Sequence, residues 1–252
     1  MTGEGECRLH AFVMSAGTGG TIAGVSRYLK ARDRRIRVYL ADPYGSSLLS
    51  KVRYNVCFAP QQTERTLKRH RYDSVVEGVG LDRVTANFNM AFELQPGGST
   101  TTTNTNSNTN ANPNPSIDGG FCVSDQEAVD LAHWLLREEG LFVGSSSALN
   151  LAAAVRAARE IACAGVGMGV GMGMGGGGSV SDAGAGAGAG AGMGAGAGNG
   201  AVRVVTVICD SGHRHMSRFW SEDFFLQHPH YGVQWPNTHT IPACLRNPPH
   251  PQ

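Results

Sequence analysis

The chain has 252 residues, but two stretches lack the side chains needed to build a core. Residues 97–116 are twenty positions of Thr, Asn, Ser, Ala, Gly and Pro, and residues 164–200 are thirty-seven positions dominated by Gly, Ala and Met; the other 195 are ordinary globular sequence, enough for a folded domain. With 21 basic and 20 acidic residues the net charge is +1, which excludes the one-signed field that binds nucleic acid or an anionic membrane surface. Six scattered cysteines without C-x-x-C spacing point to reduced thiols inside a cell. No apolar run has the length of a membrane span, and Met1–Cys7 is too polar for a signal peptide.

Strands and helices alternate, which predicts an α/β domain with a mostly parallel sheet. His10–Ser15 reads as the first strand and stops at Ala16-Gly17-Thr18-Gly19-Gly20-Thr21. Ile22–Ala31 predicts a helix with Ile22, Val25, Tyr28 and Leu29 on its apolar face. The basic run Lys30–Arg37 reads as solvated surface, and Ile36–Leu40 as a second buried strand closed by Asp42-Pro43-Tyr44-Gly45. Residues 54–72 are polar and irregular, Ser74–Gly80 ends in glycines, and Arg83–Leu94 predicts a helix running into the first insertion.

Ser124 opens the clearest helix. Ser124 and Glu127 have capping-box spacing, and Ala128, Leu131, Ala132, Leu135 and Leu136 form its stripe. Gly140–Gly144 predicts a strand leading to Ser145-Ser146-Ser147, followed by an Ala-rich helix from Ala148 to about Cys163. Val202–Ile208 predicts another buried strand, ending at Cys209-Asp210-Ser211-Gly212, and Met216–Leu226 the last helix. Residues 227–252 read as a flexible tail. Both insertions fall between elements, where a disordered loop lengthens at modest entropic cost, so one domain is expected over 8–252 around them.

The segment Gly17-Thr18-Gly19-Gly20-Thr21, between a strand and a helix, carries the first chemistry. Glycines admit an anion close to the backbone, and the helix start adds free N–H groups, a partial positive charge and two hydroxyls. That suits a phosphate monoester; a ligand-free glycine turn stays open from the loop alone. A dinucleotide fingerprint would need Gly where Ile22 stands, and a Walker loop needs Gly-Lys-Ser/Thr, which is absent. His213 and His215 alternate beside Asp210 without a third ligand, so no metal site is expected and both histidines read as surface. His228 and His230 fall in the tail, and Trp134 and Trp220 read as packing residues.

Five blocks in order carry a resemblance: AGTGGTIAGVSRYLK (16–30), DPYGSSLL (42–49), EGVGLDRVTANF (77–88), VSDQEAVDLAHWLLREEGLFVGSSSALNLAAAV (123–155) and VICDSGHRHMSRFW (207–220). Together they resemble the pyridoxal-phosphate enzymes of the cysteine synthase and cystathionine β-synthase group, most closely fungal cysteine synthases. The resemblance implies a tryptophan synthase β-subunit-like fold, fold type II, three-layered αβα and here incomplete, with pyridoxal 5'-phosphate as cofactor. It places the phosphate in a cup of Gly17, Thr18, Gly19, Gly20 and Thr21. It puts the pyridine nitrogen at Ser146, the substrate beside Gly78 and Gly80, and Asp210-Ser211-Gly212 behind the ring. A hydroxyl at that nitrogen, unlike a carboxylate, leaves the ring a moderated electron sink, which favours β-replacement over transamination. From its position alone, Ser146 could equally be an N-cap of the following helix.

One departure matters more than these matches. The family holds its cofactor as a Schiff base to a lysine in a Ser-x-Lys-Asp-Arg-like segment ahead of the phosphate cup. Here only 16 residues precede Gly17, and none is lysine. Lys30, Lys51 and Lys68 stand in polar or helix-end contexts, not the apolar pocket a reactive lysine needs. No catalytic residue is therefore assigned, and the sequence reads as the C-terminal part of such an enzyme. A second departure is Ala148, where the family often has Gly.

For the intact protein the resemblance implies conversion of O-acetylserine and sulfide to cysteine and acetate. Cystathionine formation, serine/threonine dehydration and a non-catalytic remnant stand as alternatives. It further implies an amino-acid substrate and sulfide as small-molecule partners, a homodimer, and a cytoplasmic or mitochondrial location, while charge and hydropathy give no reason to expect a nucleic-acid or membrane partner.

Overall fold

The computed structural model describes residues 9–58, 74–93, 115–167 and 201–246. Four strands form its sheet: β1 (Ala11–Ser15), β2 (Arg37–Pro43), β3 (Gly119–Val123) and β4 (Val204–Thr206), in the order β3-β2-β1-β4. Every pairing is parallel, with Ala11 opposite Arg37 and Val204, and Tyr39 opposite Gly119. β1 is buried along its whole length because its side chains alternate between two cores. Ala11 and Val13 join Tyr39 and Ala41 on one face, while Phe12 and Met14 join Val38 and Leu40 on the other.

Helices cover both faces, giving the three layers expected. On the Phe12 face lie α1 (Gly20–Arg32), α2 (Leu48–Tyr54) and α3 (Ala86–Asn89), which contribute Ile22, Leu48 and Phe88. On the Val13 face lie α4 (Asp125–Glu139) and α5 (Ser145–Gly167), which contribute Leu131, Ala132, Leu149 and Ala153. Complete burial of side chains such as Ile22, Leu40 and Leu149 is worth about 1.5–3 kcal/mol each. The α4 start is built as its spacing predicts: Ser124 Oγ accepts from Glu127 N at 3.2 Å. Only half the capping box forms, because the Glu127 carboxylate turns to Arg156 instead.

Several elements differ from the sequence reading. Gly140–Gly144 is no strand; it makes one bridge, Val143 to Ser211, and Gly140 is a left-handed helix cap at φ 67°. β3 goes unpredicted because paired glycines argue against a strand. The pairing needs them: a Cβ on Gly120 would lie 2.6 Å from the Leu40 carbonyl oxygen. β4 is a short edge strand, not a buried one, and Val205 is half exposed. The helix expected over 83–94 shrinks to α3 and a 3-10 turn, Met90–Phe92, with Leu94 outside the described residues. On α1, Tyr28 is 60% exposed, and its place on the buried face goes to Ala23 and Ser26. Leu136 likewise leaves the α4 stripe.

The boundaries of the insertions also shift. Ser116 is buried, takes a hydrogen bond from Ser26 Oγ at 3.0 Å and gives one to the Ala91 carbonyl. α5 runs through residue 167, so it absorbs the first four positions of 164–200. Residues 97–114 and 168–200 of the insertions lie outside the described residues.

Of the helix predicted over 216–226 only α6 (Glu222–Gln227) forms; residues 216–220 are turn, following a 3-10 turn, Gly212–His215. The expected tail is packed as far as residue 246: Tyr231, Val233 and Trp235 lie against the α4–α5 core, and Cys244 on α7 (Ala243–Arg246) is buried in it. Residues 247–252 lie outside the described residues. All five described cysteines are free thiols.

Candidate functional site

At its carboxyl end β1 turns directly into α1 through Ala16–Gly19. Gly19 stands at the helix N-cap with φ 80°, a left-handed conformation costly for any residue with a Cβ. A Cβ there would also lie 2.5 Å from Phe88 Cβ, and one on Gly17 would lie 2.4 Å from the Gly78 carbonyl oxygen. No side chain caps α1, and its first turn holds no acid, so the N–H groups and positive end of the helix remain open. Thr85 secures the bend from outside, donating its hydroxyl to the Thr18 carbonyl while accepting from Phe88 N.

Three consecutive serines at the start of α5 divide their work. Ser145 Oγ accepts from Glu77 N at 3.1 Å, tying in the glycine-rich segment 77–80. Ser147 Oγ accepts from Cys209 N at 2.9 Å and Asp210 N at 3.3 Å. Ser146 lies between them and is buried, yet among the described residues its hydroxyl makes no hydrogen bond. Because α5 begins at Ser145, Ser146 sits inside the first turn and is not its N-cap.

These segments enclose a pocket of about 320 Å³, lined by Gly17, Thr18, Gly19, Gly20, Thr21, Gly78 and Ser146, with Met14, Ser15, Glu77, Val79, Cys209 and Asp210. That volume lies in the range of small-molecule sites. Every expected cup residue and Ser146 thus meet in one cavity. Gly80 does not line it; its N–H donates to the Ala16 carbonyl at 2.9 Å, and its missing side chain makes room for Pro43. Ala148 is fully buried in the core instead of approaching the cavity.

The cavity fits the expected group on its own terms. Two glycines form a cradle that side chains would fill, open helix amides and threonines face it as donors, and an unengaged hydroxyl stands on α5. A phosphate monoester attached to a flat ring with an acceptor nitrogen matches that donor set.

Among the described residues no lysine lines the pocket. Lys30 Nζ is held by the Ile36 carbonyl and Asp118, each at 2.7 Å, and Lys51 Nζ by Asn55 at 2.6 Å. Lys68 lies outside the described residues.

The histidines need one correction. His213 is exposed, as read from the sequence, but His215 is buried, with its Nε2 2.8 Å from Asp210 Oδ2. His228 is packed as well, stacked on Phe224 at 4.2 Å. Trp220 follows the 3-10 turn instead of riding a helix, and its Nε1 donates to the Val143 carbonyl.

Sequence reasoning missed Asn150, Glu77 and Asp42. Asn150 is fully buried, accepts from Ser15 N at 2.7 Å and donates to the Val207 carbonyl at 3.0 Å, joining α5 to β1 and the chain after β4. A polar residue in an Ala/Leu-rich helix stretch was the available signal. Asp42 closes β2 with only 1% exposure, and burial pushes its carboxyl up to about 7.

The family profile described as "Pyridoxal-phosphate dependent enzyme" matches residues 3–165. Cysteine synthase 2 of Schizosaccharomyces pombe is 37% identical over 217 residues, covering 86% of this chain and 40% of that protein. Cysteine synthase 2 of Emericella nidulans is 36% identical over 214 residues, covering 85% of this chain and 36% of that protein. Mouse cystathionine beta-synthase is 32% identical over 154 residues, covering 61% of this chain and 21% of that protein. The chain therefore spans 40% or less of the length of these relatives.

Proposed function

This chain belongs to the pyridoxal-phosphate dependent enzyme family, and from that premise we propose that it supplies the phosphate cup and the ring-nitrogen contact of a β-replacement enzyme acting on an O-activated serine. The observation that carries the reading is Ser146: a largely buried residue whose hydroxyl is unengaged by the described residues, on the same cavity as the Gly17–Thr21 bend. When bound, pyridoxal phosphate supplies the electron sink for chemistry at an amino-acid carbon.

The chain's own residues do the holding. The open amides of α1 with Thr18 and Thr21 bind the phosphate, and Gly17 and Gly19 let it approach. The Ser146 hydroxyl meets the ring nitrogen. Being neutral, it leaves that nitrogen less protonated than a carboxylate would, which suits departure of a β-substituent better than transamination. Ser145 and Ser147 keep the contact in register by fixing the segments on either side. In the whole protein the product is cysteine, in keeping with the names of the two fungal relatives, and the substrates are O-acetylserine and sulfide.

Titration with pyridoxal phosphate, followed by its absorbance and fluorescence, tests the site. Saturable binding is expected, lost in Gly19→Ala and weakened roughly tenfold in Ser146→Ala, the loss expected for one hydrogen bond to a ring nitrogen. Equal binding by all three proteins sinks the reading. Borohydride reduction of the bound mixture is expected to label none of Lys30, Lys51 and Lys68; stoichiometric label on one of them would make that residue the cofactor's attachment point.

A further inference from the structure

Asp210 and Glu77 both line the pocket, yet they come from segments far apart in the chain, and a single buried side chain stands between them. His215, on the 3-10 turn after β4, is 7% exposed. Its Nε2 lies 2.8 Å from Asp210 Oδ2, and its Nδ1 faces Glu77 Oε2 at 3.5 Å. Arg218 closes the row, with Nη1 3.1 Å from Glu77 Oε1 and Nη2 donating to Tyr231 Oη at 2.9 Å. Carboxylate, imidazole, carboxylate and guanidinium therefore alternate across one edge of the cavity.

An independent feature shows that this arrangement is built in. A Cβ on Gly144 would lie 1.9 Å from Asp210 Oδ1 and 2.9 Å from His215 Nε2. Gly144 does not have a positive φ, so its backbone conformation does not require glycine. The space it leaves is what the Asp210–His215 pair occupies. His215 Nδ1 is also buried without a hydrogen bond, an arrangement that costs free energy unless the neighbouring carboxylate compensates it.

We propose that His215 is a positioning residue that clamps the Glu77–Gly80 segment to the Asp210 wall and so sets the width of the cavity beside Ser146. The bridge deepens the cofactor reading above and rests on it for its chemical purpose. The clamp itself is tested on the ligand-free chain, so the two can fail separately. A side chain that merely fills space under the 3-10 turn would hold residues 211–220 but have no coupling to Glu77.

Hydrogen exchange of the ligand-free chain is compared for wild type, His215→Phe, Glu77→Gln and the double variant. His215→Phe is expected to speed exchange across 77–80 by up to about fivefold, the loss of one imidazole–carboxylate contact at a partly exposed carboxylate, and Glu77→Gln by at least as much because it also loosens Arg218, with α1 and β2 unchanged. The double variant is expected to add nothing further. Should Phe at 215 prevent folding, Glu77→Gln and Gly144→Ala test the same bridge; the second leaves every charged group in place, and the same local loosening is expected. With ligand, the ratio of pyridoxal phosphate to inorganic phosphate affinity should fall about tenfold in Glu77→Gln, since the cup alone holds phosphate. Unchanged exchange at 77–80, loosening confined to 211–220, or simple addition in the double variant overturns the proposal.

Discussion

Asn150 Oδ1 accepts a hydrogen bond from the backbone N–H of Ser15 at 2.7 Å, across 135 residues of sequence. The same side chain donates to the Val207 carbonyl at 3.0 Å. One fully buried amide on α5 thus fixes the end of β1, where the glycine bend begins, relative to the chain leaving β4, where Cys209 and Asp210 begin. Asn150→Ala is expected to leave a buried donor and a buried acceptor unpaired and cost about 2–4 kcal/mol, measured by urea unfolding. Asn150→Asp should be worse, because it loses the donor and buries a charge.

Asp42 makes stability depend on pH. Burial first of all raises its carboxyl to about 7, and acceptance from Leu49 N at 2.9 Å only partly opposes this. The folded chain therefore keeps a proton that the unfolded chain releases near 4, so stability falls as pH rises from about 4 to about 7 and stays reduced above. Asp42→Asn retains an acceptor for Leu49 and carries no charge. It should be the more stable protein at pH 8, by an amount of order a few kcal/mol, with the advantage vanishing near pH 4. Thermal melts across that range measure it.

His133 tilts the balance the other way. Its ring lies between Trp220 and Trp235, each centroid 4.5 Å away, and burial, with Arg137 second, holds its pKa down to about 4. The folded chain binds fewer protons than the unfolded one between pH 4 and 6.5, so this contribution is complete above about 6.5 and is lost as pH falls through that window. His133→Phe keeps the aromatic packing. The drop in Tm between pH 7 and pH 5 should shrink by roughly 5 °C.

Gly19, the N-cap of α1, and Gly24 inside it should respond oppositely to alanine. Gly19 has φ 80° and meets Phe88, so Gly19→Ala is expected to cost about 1–3 kcal/mol. Gly24 is exposed inside the helix with nothing within 4 Å of an added Cβ, so Gly24→Ala should gain up to about 1 kcal/mol. Denaturant midpoints of the two variants separate a conformational requirement from plain helix propensity.

Local chemistry made the outer frame legible in the linear chain. Alternating apolar runs and helical stripes specify β1, β2, α1, α4 and α5 because burial on both sheet faces and on one helix face imposes those periods on composition. The Gly17–Thr21 bend was readable because only glycine tolerates the turn and the approach at Gly19. Ser124 announced α4 because a cap is a contact over three residues.

What the tertiary structure decided involves partners distant in sequence. β3 exists because Leu40 and Leu49 leave no room for a side chain at Gly120. Gly140–Gly144 makes a single bridge to Ser211, and position 144 is glycine because Asp210 and His215 fill the space a side chain would need. Ser145, Ser146 and Ser147 are chemically identical in the linear chain. They differ only because Glu77, Cys209 and Asp210 arrive beside two of them and leave the third facing the cavity. A hydroxyl's role depends on which groups surround it, and only the folded chain brings those groups together.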